Sequence, residues 1–156
     1  KNHIQLGSTI TAMLFFEDGK YLIGHVGDSR AYRVTETVIE MLTQDQTVVA
    51  REIKLGRLTL EEAERDPRRN VLLQCIGASK IVEPDFVEGN YASGECYMLC
   101  SDGFRHVVST DEIKEAFAPS QNTDEKAMKE NIIRLIELNK EREETDNISA
   151  ILIRVI

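Results

Sequence analysis

The stretch YMLCSDG, residues 97–103, organises the sequence, because an apolar run short enough for a β-strand ends in a carboxylate and a glycine. A run of this length predicts a buried strand with Asp102 at the edge of its sheet. The strand would hold the Asp102 carboxylate rigidly, and Gly103 would let the chain turn away without a side chain over the site. An ordinary Asp-Gly turn is the alternative interpretation of the same residues.

Two further aspartates stand next to strand-like runs. Asp28 precedes Ser29 between two apolar stretches, and Asp146 precedes Asn147 shortly before the last apolar stretch. If these strands lie side by side, the carboxylates of Asp28, Asp102 and Asp146 converge, and converging carboxylates repel unless they are protonated or share a cation. Hard cations such as Mg²⁺ and Mn²⁺ prefer oxygen ligands. The sequence therefore indicates a divalent-metal site that could activate a water molecule.

The composition predicts one α+β domain over residues 1–156. The chain has 156 residues, of which 42% are hydrophobic, so it can build a sizeable core. The net charge of −8 argues against nucleic acid or an anionic membrane as a partner. There is no apolar run of about eighteen residues and no signal-peptide pattern, so we expect a cytoplasmic protein.

Cysteine and histidine spacing predicts neither disulfides nor a structural zinc site. An odd number of irregularly spaced cysteines makes a poor disulfide framework, which is typical of a reducing compartment. They are Cys75, Cys96 and Cys100, and the last two are expected in the core on one strand face. The histidines lack the spacing to complete a four-ligand zinc site. They are His3, His25 and His106.

Hydrophobic periodicity predicts strands followed by helices, which favours layered α+β architecture. An antiparallel meander is expected over 7–16, 21–26, 31–34 and 38–42, a strand pair over 86–87 and 96–101, and a last strand over 148–156. Helices are expected over 47–55, 59–66, 109–119 and 123–140, two of them opened by capping boxes. The longest helix carries an apolar stripe expected in the core, namely Met128, Ile132, Leu135 and Ile136.

Five motifs occur in an order that resembles the metal-dependent protein phosphatases of the 2C (PPM) type. They are Gly7-Ser8-Thr9, HVGDSRAY at 25–32, LTQD at 42–45, CSDG at 100–103 and DNI at 146–148. The segments LLQCIG at 72–77 and PD at 84–85 resemble the bacterial branch. Each motif alone is weak, but the ordered set covers nearly the whole chain and is specific.

The resemblance implies a fold of packed antiparallel sheets flanked by helices, in α-β-β-α layers. It implies hydrolysis of phosphoserine and phosphothreonine in protein substrates by a water that bridges two Mn²⁺ or Mg²⁺ ions. Asp102 and Asp146 match metal ligands of the core, and Asp28 matches an aspartate that supports a third metal site in some members. Arg30 would be structural and would pair near Asp28.

The sequence departs from the family pattern at two positions. Gln46 stands where family members often carry histidine, and His106 stands where many carry an aspartate of the third metal site. Imidazole binds Mg²⁺ poorly compared with carboxylate, which weakens the expectation of a third site. The alternative interpretation of His106 is a surface or packing residue near a helix.

A larger departure lies upstream of Gly7. The family's first ligand aspartate, its Asp-Gly-x-Gly segment and its phosphate-gripping arginine all precede the Gly-Ser-Thr strand, so the chain resembles the C-terminal two-thirds of the domain. We therefore expect this chain alone to be inactive. We also expect it to self-associate through apolar faces that the missing strands and helices would cover.

Two other functions are compatible with parts of the sequence. A degenerate, non-catalytic phosphatase fold could bind a phosphoprotein or a regulatory partner, as Gln46, His106 and the missing upstream segment would suggest. Alternatively, Asp102 could be a phosphoacceptor of an aspartate-based phosphotransferase. That chemistry needs a carboxylate two residues earlier, where this chain has Cys100.

Overall fold

The computed structural model describes residues 6–156, and His3 lies outside this range. The strands in this part are β1 (Ile10–Phe15), β2 (Lys20–Val26), β3 (Arg30–Val34), β4 (Ile39–Met41), β5 (Asp85–Asn90), β6 (Cys96–Cys100) and β7 (Ala150–Arg154). The α-helices are α1 (Val48–Lys54), α2 (Leu60–Arg65), α3 (Thr110–Phe117) and α4 (Glu125–Glu141). Short 3₁₀ turns cover Asp102–Phe104 and Pro119–Gln121.

The strands form two antiparallel sheets, in the orders β1-β2-β5 and β4-β3-β6-β7. The predicted four-stranded meander is wrong, because the chain leaves the first sheet after β2 and enters the second at β3. Gly27 makes the crossing with φ +115°, and a Cβ there would lie 2.3 Å from the Thr9 side chain. The predicted pairing of 86–87 with 96–101 is also wrong, because β5 pairs with β2 and β6 pairs with β3 and β7.

An apolar layer joins the two sheets. Tyr21 and Ile23 of β2 pack against Ala31 of β3 and Tyr97 of β6, and all four side chains are buried. The Tyr97 ring lies edge-on to Phe15 and Tyr21, with centroid distances of 5.2 and 5.7 Å, an arrangement that adds to the burial of large apolar rings. The Tyr97 hydroxyl donates a hydrogen bond to Glu95 at 2.7 Å, so its polar tip is satisfied.

The other face of the four-stranded sheet packs against α3 and α4. Met98 points into this second layer together with Phe104, Phe117 and Leu135. Cys96 and Cys100 lie in the same layer, as predicted, and burial raises the pKa of each thiol to about 11. The stripe predicted on the longest helix contacts this core, and the predicted α+β class with antiparallel sheets flanked by helices is confirmed.

Side-chain caps define where the helices begin. Thr47 caps α1, and Thr59 and Ser109 form capping boxes with Glu62 and Glu112 at the starts of α2 and α3. The two capping boxes were predictable from the sequence because they are local, and the caps of α1 by Thr47 and of α4 by Asp124 follow the same rule. Among the described residues, no helix combines the length and apolar character needed to cross a membrane.

The outer face of the three-stranded sheet exposes large apolar side chains. The register places Leu14 opposite Leu22, and Phe86 opposite Gly24, on the face that points away from the inter-sheet layer. Phe86 is 69% exposed and Leu14 57% exposed. A contiguous apolar sheet face of this kind promotes association with other surfaces.

We therefore expect the chain to self-associate through this face despite its net charge of −8. Light scattering should show an apparent mass that rises with concentration, and the double change Leu14→Lys with Phe86→Lys should reduce that rise. Leu55→Lys is the matched control, because Leu55 is exposed to a similar degree, 54%, but lies after α1 and away from the sheet. A clean monomer of the unchanged chain at high concentration would contradict the expectation.

Candidate metal and phosphate site

Three strand ends bring the predicted carboxylates to one edge of the four-stranded sheet. In the register of this sheet, Arg30 of β3 pairs with Cys100 of β6, which pairs with Ala150 of β7. Asp28, Asp102 and Asp146 lie just beyond these three aligned positions. All three line a single groove of about 1320 Å³.

At this edge, the turn at Gly103 packs closely against the turn at Asp146 and Asn147. A Cβ on Gly103 would lie 2.6 Å from the carbonyl oxygen of Asn147 and 3.1 Å from Cβ of Asp146, so glycine is required at this position. The carboxylate of Asp102 accepts a hydrogen bond from the Gly103 N–H at 2.9 Å, and that of Asp146 accepts one from the Asn147 N–H at 2.7 Å. Each carboxylate is therefore oriented by its own turn.

Two of these carboxylates, those of Asp28 and Asp102, repel each other. Burial raises the pKa of the Asp28 carboxyl, the negative charge of Asp102 raises it further, and the guanidinium of Arg105 acts in the opposite direction. A cation between Asp28 and Asp102 would relieve this repulsion. The oxygen-only character of the group fits Mg²⁺ or Mn²⁺ better than a soft metal.

The fit of the carboxylates to a metal ion is partial. Across residues 6–156, no three or more His, Cys, Asp or Glu side chains lie close enough together to form a ready-made metal cluster. Asp102 and Asp146 are the two predicted ligands that share the tight turn at Gly103, while Asp28 faces Asp102 across the groove. The described residues therefore present part of an oxygen-ligand set.

Arg30 is structural, and its partner is Asp45. Its guanidinium forms a two-pronged ion pair with Asp45, with both N–O distances at 2.8 Å. This pair lies near Asp28, because one nitrogen of Arg105 donates to both the Asp28 carbonyl and the Asp45 carboxylate. Burial is the largest single effect and acts to lower the pKa of Arg30, but the hydrogen bonds and charge interactions with Asp45 and Tyr32 together raise it. Planar, two-pronged pairing of this kind is the geometry that arginine and carboxylate favour.

Arg105 was missed in the sequence, although it contacts the backbone of Asp28 and its charge acts on the Asp28 carboxyl. One guanidinium nitrogen donates to the backbone carbonyl of Asp28 at 3.1 Å and to the Asp45 carboxylate at 3.3 Å. Its Nε is buried and has no hydrogen-bond partner among the described residues. The only sequence signal was its position three residues after Asp102, which does not indicate a charge partner 60 residues away.

His106 lies between two carboxylates. Its Nε2 lies 3.7 Å from Asp102 and its Nδ1 lies 3.2 Å from Glu144, whose side chain is only 6% exposed. Glu144 also accepts the backbone N–H groups of Thr145 and Asp146 at 2.9 and 2.8 Å. Glu144, which sequence reasoning also missed, thus fixes the loop that carries Asp146 and holds His106 against Asp102.

Gln46 connects three segments behind the groove. Its Oε1 accepts hydrogen bonds from the Gly27 N–H at 2.8 Å and from the Gln74 amide at 3.0 Å, and its Nε2 donates to Asp85 at 2.8 Å. Gln46 is 8% exposed, and its bond with the Gly27 N–H is buried, while its bonds with Gln74 and Asp85 are partly buried. Gln46, which stands where family members often carry histidine, therefore has a structural role.

Known proteins that resemble this chain are bacterial serine/threonine phosphatases. The chain is 32% identical to the serine/threonine protein phosphatase PstP of Mycobacterium tuberculosis over 97% of its own length and 28% of that protein. It is 31% identical to the crystal structure of the S. agalactiae serine/threonine phosphatase, with a TM-score of 0.87 over 96% of this chain and 60% of that chain. No protein-family profile matches the chain.

A second similar structure contains metal. The catalytic domain of PstP in complex with two manganese ions is 32% identical to this chain, with a TM-score of 0.76 over 94% of this chain and 57% of that chain. In each of these three comparisons, the chain spans less than two thirds of the length of the protein that it matches.

Replacing Gln46 tests whether its role is structural. Gln46→Leu should lower the free energy of unfolding by about 1–3 kcal/mol, because the buried N–H of Gly27 loses its acceptor. Chemical denaturation followed by circular dichroism measures the loss. Gln44→Leu is the control, since Gln44 is exposed and only its backbone carbonyl is used, by His25. Equal stability of the two variants would contradict a structural role for Gln46.

Proposed function

We propose that this chain, which belongs to the PPM-type (2C-type) family of metal-dependent serine/threonine protein phosphatases, supplies part of an active site that hydrolyses phosphoserine and phosphothreonine in proteins. The observation that carries the proposal is that Asp28, Asp102 and Asp146 all line one groove, beyond neighbouring ends of the four-stranded sheet. The relatives, all longer than this chain, supply the reaction class. Phosphorylated proteins are the substrates that follow from this class.

Asp102 and Asp146 are proposed as ligands of a divalent ion, and Asp28 as support for a further ion. When bound, Mn²⁺ or Mg²⁺ would acidify a water molecule and neutralise charge on the phosphoryl oxygens. The chain's own contribution is orientation: the turns at Gly103 and Asn147 hold one oxygen of each ligand. Arg105 adds a positive charge that offsets the carboxylates next to Asp28.

A cytoplasmic location is part of the proposal. Its support is the state of the cysteines, because Cys75, Cys96 and Cys100 are all free thiols in the structure. Free thiols are typical of a reducing compartment. The charge balance of −8 also supports a protein substrate over nucleic acid.

The two other functions have less support. The non-catalytic module was suggested partly by Gln46, and the hydrogen bonds of that residue give it a structural role that does not depend on catalysis. The relatives of this chain are phosphatases, so the module is not favoured. A phosphoacceptor role for Asp102 would need a carboxylate at position 100, where the structure has a buried cysteine.

Metal binding can be measured on the 156-residue chain itself. We expect weak Mn²⁺ binding by titration calorimetry, because a site with two protein carboxylates leaves most of the coordination shell to water. Asp102→Asn should abolish the binding. Asp111→Asn is the matched control, since Asp111 is an exposed aspartate in the first turn of α3. Tight binding, or binding that survives Asp102→Asn, would refute the assignment.

Hydrolysis by this chain alone should be undetectable. Phosphate-monoester hydrolysis has a very high uncatalysed barrier, and the resemblance places a bridging aspartate and an arginine outside these residues. Groups that act as a unit fail non-additively, so part of the site should give far less than a proportional rate. Assays with p-nitrophenyl phosphate and a phosphothreonine peptide in the presence of Mn²⁺ test this.

A polypeptide that joins this chain to the upstream part of the family domain should be active, and both Asp102→Asn and Asp146→Asn should remove that activity. Robust turnover by the 156-residue chain alone would contradict the prediction of an incomplete site. A joined polypeptide that binds metal but stays inactive would instead favour the non-catalytic module.

A further inference from the structure

The last turn of α4 holds a buried asparagine that lies outside the groove. Asn139 has no exposed surface. Its amide nitrogen donates to the backbone carbonyl of Phe104 at 3.0 Å and to that of Leu135 at 2.9 Å. Its amide oxygen is buried and has no hydrogen-bond partner among residues 6–156. Because a buried polar atom without a partner destabilises a protein, packing alone would not favour asparagine at this position.

The side chain of Asn139 is tied to the turn that carries Asp102. Phe104 is the last residue of the 3₁₀ turn Asp102–Phe104, and it precedes Asn139 by 35 residues. The same turn is closed by the hydrogen bond from the Arg105 N–H to the Asp102 carbonyl at 2.9 Å. The bond from the Asn139 amide to the Phe104 carbonyl therefore fixes the whole turn against the end of α4.

The backbone of Asn139 is tied to the loop that carries Asp146. The chain leaves α4 with Glu143 in the left-handed region, at φ 62°, which residues other than glycine rarely adopt. This conformation returns the Glu144 N–H to the Asn139 carbonyl at 3.0 Å. The Glu144 carboxylate in turn accepts the Asp146 N–H at 2.8 Å. One residue thus contacts the Asp102 turn through its side chain and the Asp146 loop through its backbone.

We propose that Asn139 is a positioning residue for the metal site: its amide sets the distance between the turn that carries Asp102 and the loop that carries Asp146. The proposal rests on the proposed assignment of these two aspartates as metal ligands. Ser101 joins the same two segments at the surface, where its hydroxyl donates to the Asn147 carbonyl at 3.0 Å. The ligand turns are therefore held together on the exposed side by Ser101 and on the buried side by Asn139.

A second buried asparagine provides a matched control. Asn122 also has no exposed surface, and its amide nitrogen also donates to two backbone carbonyls, at 2.9 and 2.8 Å. Its amide oxygen accepts a hydrogen bond from Asn131, which lies about 12 Å before Asn139 along the axis of α4. Asn122 therefore matches Asn139 in burial and in the bonds of its amide nitrogen, but none of its hydrogen bonds reaches a ligand turn.

The first test measures hydrogen exchange by mass spectrometry on the 156-residue chain without metal. Asn139→Leu and Asn139→Ala both remove the amide, so a folding defect specific to one of them does not prevent the test. Each should raise the exchange rates of the segments 101–105 and 143–147 about two- to tenfold, as expected for the loss of one hydrogen bond. Asn122→Leu should leave exchange in both segments unchanged.

Global stability should follow the opposite order. The amide of Asn122 has partners for its nitrogen and its oxygen, whereas the oxygen of Asn139 has none among the described residues. Asn122→Leu should therefore lower the urea midpoint of unfolding more than Asn139→Leu does. If Asn139 were merely structural, exchange in the two segments would follow the loss of stability. The inference is overturned if Asn122→Leu raises that exchange as much as Asn139→Leu, or if neither substitution of Asn139 raises it.

Mn²⁺ titration separates this inference from the proposed function. Asn139→Leu should weaken binding about tenfold, the lower end of the loss seen when hydrogen-bonded partners of metal ligands are removed, and Asn122→Leu should leave it unchanged. Unchanged affinity in Asn139→Leu, together with binding that Asp102→Asn abolishes, would overturn the inference and leave the metal site intact. Raised exchange in both segments, together with Mn²⁺ binding that survives Asp102→Asn, would remove the ligand assignment and leave the tie between the two turns standing.

Discussion

The burial of β6 on both faces is the constraint on which the rest of the structure depends. Tyr97 fills the layer between the sheets and Met98 fills the layer beneath the helices, and neither has any exposed surface. Because β6 also pairs with a strand on each side, its register cannot slip without turning both core side chains to the wrong layer. The end of β6 is therefore fixed in space, and with it Asp102 and the turn at Gly103.

Local signals in the sequence predicted local structure well. The capping boxes at Thr59 and Ser109 placed two helices because such a box depends on residues three positions apart. Sheet membership was not predictable in this way. At Gly27 the chain passes from the first sheet to the second, and this change depends on strands that are distant in sequence. The residues around Gly27 do not themselves indicate which sheet the next strand joins.

The same distinction explains which parts of the site were found. Asp28, Asp102 and Asp146 were recognisable because each ends or precedes an apolar run. Asp45, Arg105 and Glu144 were not, because their roles come from partners that are distant in sequence, such as Asp45 with Arg105 across 60 residues. The family pattern suggested that Gln46 was a defect, and only its hydrogen bonds to Gly27, Gln74 and Asp85 show why an amide fits there.

The two sides of the groove are built by different means. The carboxylate side sits on sheet edges fixed by two core layers, and Glu144 holds the loop that carries Asp146. The opposite side consists of the short helices α1 and α2, which are tied to the body by the bridge between Thr47 and Leu72 and by the hydrogen bond from the Leu73 N–H to the carbonyl of Gln46. The positions of Asp102 and Asp146 therefore depend on the two core layers, whereas the position of the helical side depends on a few backbone contacts next to Gln46.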